Sequence, residues 1–162
     1  MYCKSNFVFY LTLSSFSSRC KTTCPDGWIK FRWSCYFHST ESGSWTTGRA
    51  NCRTRGAHLV VIHSAEEQTF LSEFTMVESW IGLTDRDKEG TWNWVDGTPL
   101  TVKLAFTTWT PRHSPLGEED CAHIIAGVNS LKNWNDLSCD TSLRWILRKS
   151  HSPGKGKKET LE

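Results

Sequence analysis

The chain has 162 residues, enough for one domain with a substantial core, and nine Trp and eight Phe supply large apolar surfaces to fill it. The formal charge is only +2, and the last fifteen residues, with five Lys or Arg against two Glu, account for it. That balance leaves no basic face and argues against a nucleic-acid partner.

Residues 1–23 show neither helical nor strand period and read as a leader or stalk. Lys4, the apolar run Phe7 to Leu13 and the serines from Ser14 have the layout of a short signal peptide, with no small-x-small cleavage site after them. The run is too short to span a bilayer. Cys20 is placed where a stalk cysteine could join two chains. Seven Cys without a Cys-x-x-Cys pair read as a disulfide framework, hence an oxidising, extracellular setting, and the odd count leaves a thiol over.

A domain is expected over residues 24–149. It opens on the turn signal Cys24-Pro25-Asp26-Gly27 and continues as alternating aromatic and polar residues from Ile29 to Phe37, a strand pattern that a Cys24–Cys35 bond would staple as a hairpin. Ser44 is placed to cap a helix over 45–55 that Gly56 ends. His58 to Ile62 is a β-branched strand. Ser64 with Glu67 three residues on has the form of a capping box, and Phe70, Leu71 and Phe74 give one apolar face, so a second helix is expected over 65–75.

Short strands and turns follow, at Trp80 to Leu83 and at Trp92 to Trp94 before the turn signal Asp96-Gly97. Residues 97–120 carry three prolines and no regular pattern, a length of loop that in a compact domain is usually functional or disordered. Strands are expected again at 122–125 and 143–147. Residues 150–162 are rich in Gly, Lys and Ser and read as a disordered basic tail.

The stretch from Glu118 to Cys139 concentrates the chemistry. Glu119, Asp120, Asn135 and Asp136 stand beside two half-cystines, and a Cys121–Cys139 bond would close them into one hairpin-like loop. Hard oxygen donors of this kind suit Ca²⁺, which takes six to eight oxygens at about 2.3–2.6 Å. His58, His63, His123 and His151 have no nucleophile at workable spacing, so an enzyme is not expected.

Cys24 to Cys35, two helices, Trp80-Ile81-Gly82-Leu83, Glu119-Asp120-Cys121 and Trp134-Asn135-Asp136, in that order, resemble a C-type lectin domain. Gly56 to Ile62 and Trp94 to Leu100 are most similar to the myeloid, Mincle-like receptor group. The resemblance implies an α+β fold in which two helices flank two small antiparallel sheets, with a long loop region for calcium and sugar. It implies a recognition module of an innate-immune receptor, secreted or on the outer face of the plasma membrane, taking a glycan or glycolipid. Matched position by position, Glu119, Asn135 and Asp136 correspond to ligands shared by calcium and sugar, and Asp85, Glu89, Glu119 and Asp120 to an auxiliary calcium site.

Two departures stand out. The family's sugar binders carry Glu-Pro-Asn or Gln-Pro-Asp before Glu-Asp-Cys, whereas this chain has Arg112-His113-Ser114-Pro115. With His113 at the sugar-facing position, about three protein ligands remain, and calcium binding is expected to weaken toward the millimolar end of the range. The alternative is a calcium-independent lectin-like module for a protein or lipid partner. The family also places a Cys at Leu147, bonded to the position of Cys52; that staple is missing here.

Overall fold

The computed structural model describes residues 24–100, 119–127 and 132–150. Ten elements follow in chain order: β1 (Ile29–Phe31), β2 (Ser34–His38), α1 (Trp45–Thr54), β3 (His58–Leu59), α2 (Ala65–Phe74), β4 (Ser79–Thr84), β5 (Asn93–Trp94), β6 (Cys121–Ile124), β7 (Trp134–Leu137) and β8 (Arg144–Ser150). The fold is α+β. One antiparallel set joins β1, β2, β8 and β3, a second joins β5, β4, β6 and β7, and a short parallel pairing of β4 with β8 makes them continuous.

Both helices start where their caps dictate. Ser44 and Ser64 sit in extended backbone, and each side-chain oxygen accepts from the N–H three residues on, Thr47 at 3.1 Å and Glu67 at 3.2 Å. The second half of the expected capping box is absent. Glu67 does not return to Ser64; its carboxylate accepts from the His63 N–H and the Tyr36 hydroxyl and meets Arg148 at 3.3 Å. A buried carboxylate requires such partners, and the Tyr36 and Arg148 contacts, with the His63 N–H, replace the bond to the Ser64 N–H. Gly56, at φ 63°, ends the first helix as expected, its N–H bonded to the Arg53 carbonyl.

The segment read as one strand from Ile29 to Phe37 is two strands. Arg32, at φ 51°, turns the chain back on itself, so that Ile29 lies opposite Tyr36. The expected strand at His58 to Ile62 is regular only at its first two residues, yet the Val60 N–H still bonds the Ile146 carbonyl. β7, which is not among the expected strands, pairs with β6, and β8 runs on to Ser150.

Two adjoining cores result. Tyr36, Ile62, Leu71, Ile81, Trp134 and Ile146 belong to one, and Trp45, Cys52, Leu59, Trp80, Trp145 and Leu147 to the other. Gly82 sits where the chain crosses itself: a Cβ there would lie 2.8 Å from a Val95 methyl and 3.0 Å from the Leu59 and Val60 carbonyl oxygens. Only glycine allows the Gly82 N–H and carbonyl to bond Val60 and Val95 at 2.8 and 2.7 Å. Cys24 is bonded to Cys35 and Cys121 to Cys139, while Cys52 keeps a buried free thiol whose pKa burial raises to about 12.

Candidate calcium and sugar site

β4 ends at Thr84, and the chain turns at once. Lys88 N–H bonds the Asp85 carbonyl at 2.9 Å, and Gly90 N–H bonds Asp85 Oδ2 at 2.9 Å. The start of β6 is fastened to the same turn, because Thr84 Oγ1 donates to the Asp120 carbonyl at 2.6 Å and Asp85 N–H reaches that carbonyl at 3.2 Å. One carboxylate oxygen each from Asp85, Glu89 and Asp120 thereby comes within 4.8 Å of the others. Oxygens bound to one calcium at about 2.3–2.6 Å cannot be more than about 5 Å apart, so the spacing suits a common ion.

Asp85 supplies the test of fit. Its side chain is 4 % exposed, and Oδ1 is buried with no hydrogen-bond partner among the described residues. Burial raises its pKa, the Gly90 N–H lowers it, and the neighbouring Glu89 and Asp120 charges raise it again. A carboxylate in that position is costly by itself and satisfied by a cation. The donor set is all oxygen, so the three residues fit Ca²⁺. Glu119, which the resemblance adds to this group, is half-buried and not among the three clustered oxygens.

The other predicted ligands lie on the β6–β7 hairpin. Ala122 is opposite Asp136, His123 opposite Asn135 and Ile124 opposite Trp134, with the Cys121–Cys139 bond closing the open end. Asp136 is buried and Asn135 half-buried; the Asn135 carboxamide donates to the Asp136 carbonyl at 2.7 Å. His123 is 2 % exposed, its Nε2 is 4.0 Å from the Glu78 carboxylate, and burial lowers its pKa. His113 and the rest of Arg112 to Pro115 lie outside the described residues, as do Cys3 and Cys20.

One contact unremarked in the sequence invites a nucleophile reading. His38 Nε2 lies 2.7 Å from Ser79 Oγ. Ser79 Oγ, however, donates to the Val77 carbonyl at 2.7 Å, so the imidazole N–H is the donor to serine and takes no proton from it. Burial and the nearby Arg144 both lower the His38 pKa, and among the described residues no carboxylate orients the ring. The pair braces β2 against β4.

The sequence pattern of the Lectin C-type domain family matches residues 41–147. C-type lectin domain family 4 member E is 47 % identical over 125 residues in human and 44 % over 135 residues in mouse, covering 76 % and 82 % of this chain. The chain spans 57 % and 63 % of those relatives' own length. Among solved structures, the C-type lectin domain of murine dendritic cell inhibitory receptor 2, in complex with N-glycan, superposes with a TM-score of 0.69 at 31 % identity, over 79 % of this chain and 99 % of that one. A calcium-independent type II antifreeze protein superposes with a TM-score of 0.68 at 32 % identity, over 79 % and 95 %.

Proposed function

The chain belongs to the C-type lectin family, and from that premise we propose that it is the carbohydrate-recognition module of an extracellular innate-immune receptor. It is a recognition domain and not an enzyme. The observation that carries the calcium reading is Asp85: its Oδ1 is buried and unmet by any donor among the described residues, and one of its carboxylate oxygens lies within 4.8 Å of oxygens of Glu89 and Asp120. Two disulfides support an extracellular setting.

In this reading Asp85, Glu89 and Asp120 hold an auxiliary calcium, and Glu119, Asn135 and Asp136 hold the one that meets sugar. Calcium, when bound, supplies a Lewis acid for the lone pairs of two vicinal hydroxyls. The Glu119 carboxylate accepts a hydroxyl proton, and the Asn135 carboxamide donates to a hydroxyl lone pair. Asp136 adds charge that holds the ion. Arg112-His113-Ser114, which stands in the sequence where the family's triplet would, contains no carboxylate, so in this reading sugar binding is weak and needs calcium near the millimolar range. A glycan array read with calcium and with EDTA tests the proposal. Signal lost in EDTA is expected, and equal signal in both would sink the calcium mechanism.

A second reading has one observation in its favour, the absence of the Glu-Pro-Asn-type triplet. The fold also occurs in a calcium-independent relative. In that case the module binds a protein or lipid partner, and capture of that partner survives both EDTA and free mannose. Cys20 would pair two copies in either case; a band that halves in mass on reduction checks it.

A further inference from the structure

Gln68 is wholly buried on α2, and its side chain bonds Asn133 and Trp134, at the start of β7. Both ends of its carboxamide are used there. Nε2 donates to Asn133 Oδ1, and Oε1 accepts from the Trp134 indole N–H at 2.8 Å. Asn133, also wholly buried, donates from Nδ2 to Ser72 Oγ at 3.1 Å, and Ser72 Oγ donates to the Gln68 carbonyl at 2.9 Å. The Asn133 carbonyl in turn accepts from the Ile125 N–H at 2.7 Å. One turn of α2 therefore grips residues 133 and 134 through a closed set of polar bonds, and the next two residues are Asn135 and Asp136.

We propose that Gln68 is a positioning residue for the calcium- and sugar-binding arm, holding β7 in the register that presents Asn135 and Asp136. The inference rests on the reading of those two residues as ligands. Its physical basis is that β7 ends the strand order and, among the described residues, pairs with β6 alone. A strand held on one side can shift along or out of the sheet. Metal ligands tolerate displacements of only about half an ångström before binding suffers. A carboxamide is needed because it donates to Asn133 and accepts from Trp134 at once. An apolar residue of the same size takes one hydrogen-bond partner from each of those buried groups, which weakens the hold on the strand.

The test compares Gln68→Met with Tyr36→Phe, which breaks the neighbouring Glu67 bond on the same helix but does not touch β7. For the secreted domain, two quantities are read: the melting temperature in EDTA, and the calcium concentration giving half-maximal glycan binding. Both variants are expected to lower the melting temperature. Only Gln68→Met is expected to raise the calcium midpoint, by about 10–100-fold, as loss of an outer-shell partner does. A Gln68→Met midpoint within twofold of wild type overturns the inference, and so does an equal rise in Tyr36→Phe. If Gln68→Met is not secreted, Ser72→Ala decides: a smaller rise in the midpoint supports the inference, and an unchanged midpoint overturns it. A wild-type domain whose glycan binding ignores calcium removes the parent reading, and this inference with it.

Discussion

An ionised carboxylate that is buried and short of a hydrogen bond weakens a fold unless a cation meets it, and Asp85 is in that position. Asp85→Asn removes the charge and keeps the shape, including an acceptor for the Gly90 N–H. The variant is expected to melt no lower than wild type in EDTA, because nothing it loses was stabilising without the ion. Calcium at 100 times its dissociation constant stabilises a one-site binder by about 2.7 kcal/mol, and the share of that gain due to the auxiliary site should vanish in Asp85→Asn. An equal calcium-induced rise in melting temperature for both proteins would place the ion elsewhere. Cys52 is a different kind of residue-scale gap. Cys52 and Leu147 are both wholly buried in the same cluster, at the two positions where the family resemblance implies a disulfide. Leu147→Cys should close that long loop and add about 2–4 kcal/mol of stability. Loss of the free thiol in denaturant, together with a higher melting temperature, checks it; a retained thiol counts against it.

At the scale of elements, α2 is a double clamp. Glu67 fastens it to β2 and β8, and Gln68 fastens it to β7. The Glu67 and Arg148 side chains are 6 % and 14 % exposed, so removing the guanidinium strands a buried carboxylate. Arg148→Ala is expected to cost about 3–5 kcal/mol by chemical denaturation; a loss below about 1 kcal/mol would show that water replaces it. Much of this level was legible beforehand. Ser44 and Ser64 announce their helices, and Gly56 announces the end of the first. The break at Arg32 was not legible, since nothing in Phe31-Arg32-Trp33-Ser34 carries a Gly, Pro, Asn or Asp turn signal; the pairing of β2 with β8 imposes it. β7 was missed because Asn and Asp are poor strand formers, and its partner β6 and the Cys121–Cys139 bond decide its conformation. Glu67 was misassigned, and Gln68 passed unnoticed, because their partners stand far away in sequence: Tyr36 is 31 residues from Glu67, and Asn133 is 65 from Gln68.

Across the whole molecule, the response to acid follows from two histidines at the junction of the antiparallel sets. His38 joins β2 to β4, and His123 packs edge-on against Trp80 from β6. Burial lowers both pKa values, with Arg144 adding to the effect at His38. A base whose folded pKa is depressed binds protons more readily when unfolded, so its contribution is intact above the unfolded value of about 6.5 and is lost as pH falls through the folded value. Asp85 has the opposite sign, since its raised pKa favours folding as pH drops, but that gain belongs to the carboxylate range below. Melting temperature in EDTA is therefore expected to fall between pH 7.5 and 5.0, with calcium release taken out of the measurement. His38→Gln, which still donates to Ser79, should flatten part of the decline. A profile already flat in the wild type would mean that water reaches both rings and that the two sheets separate there more easily than their packing implies.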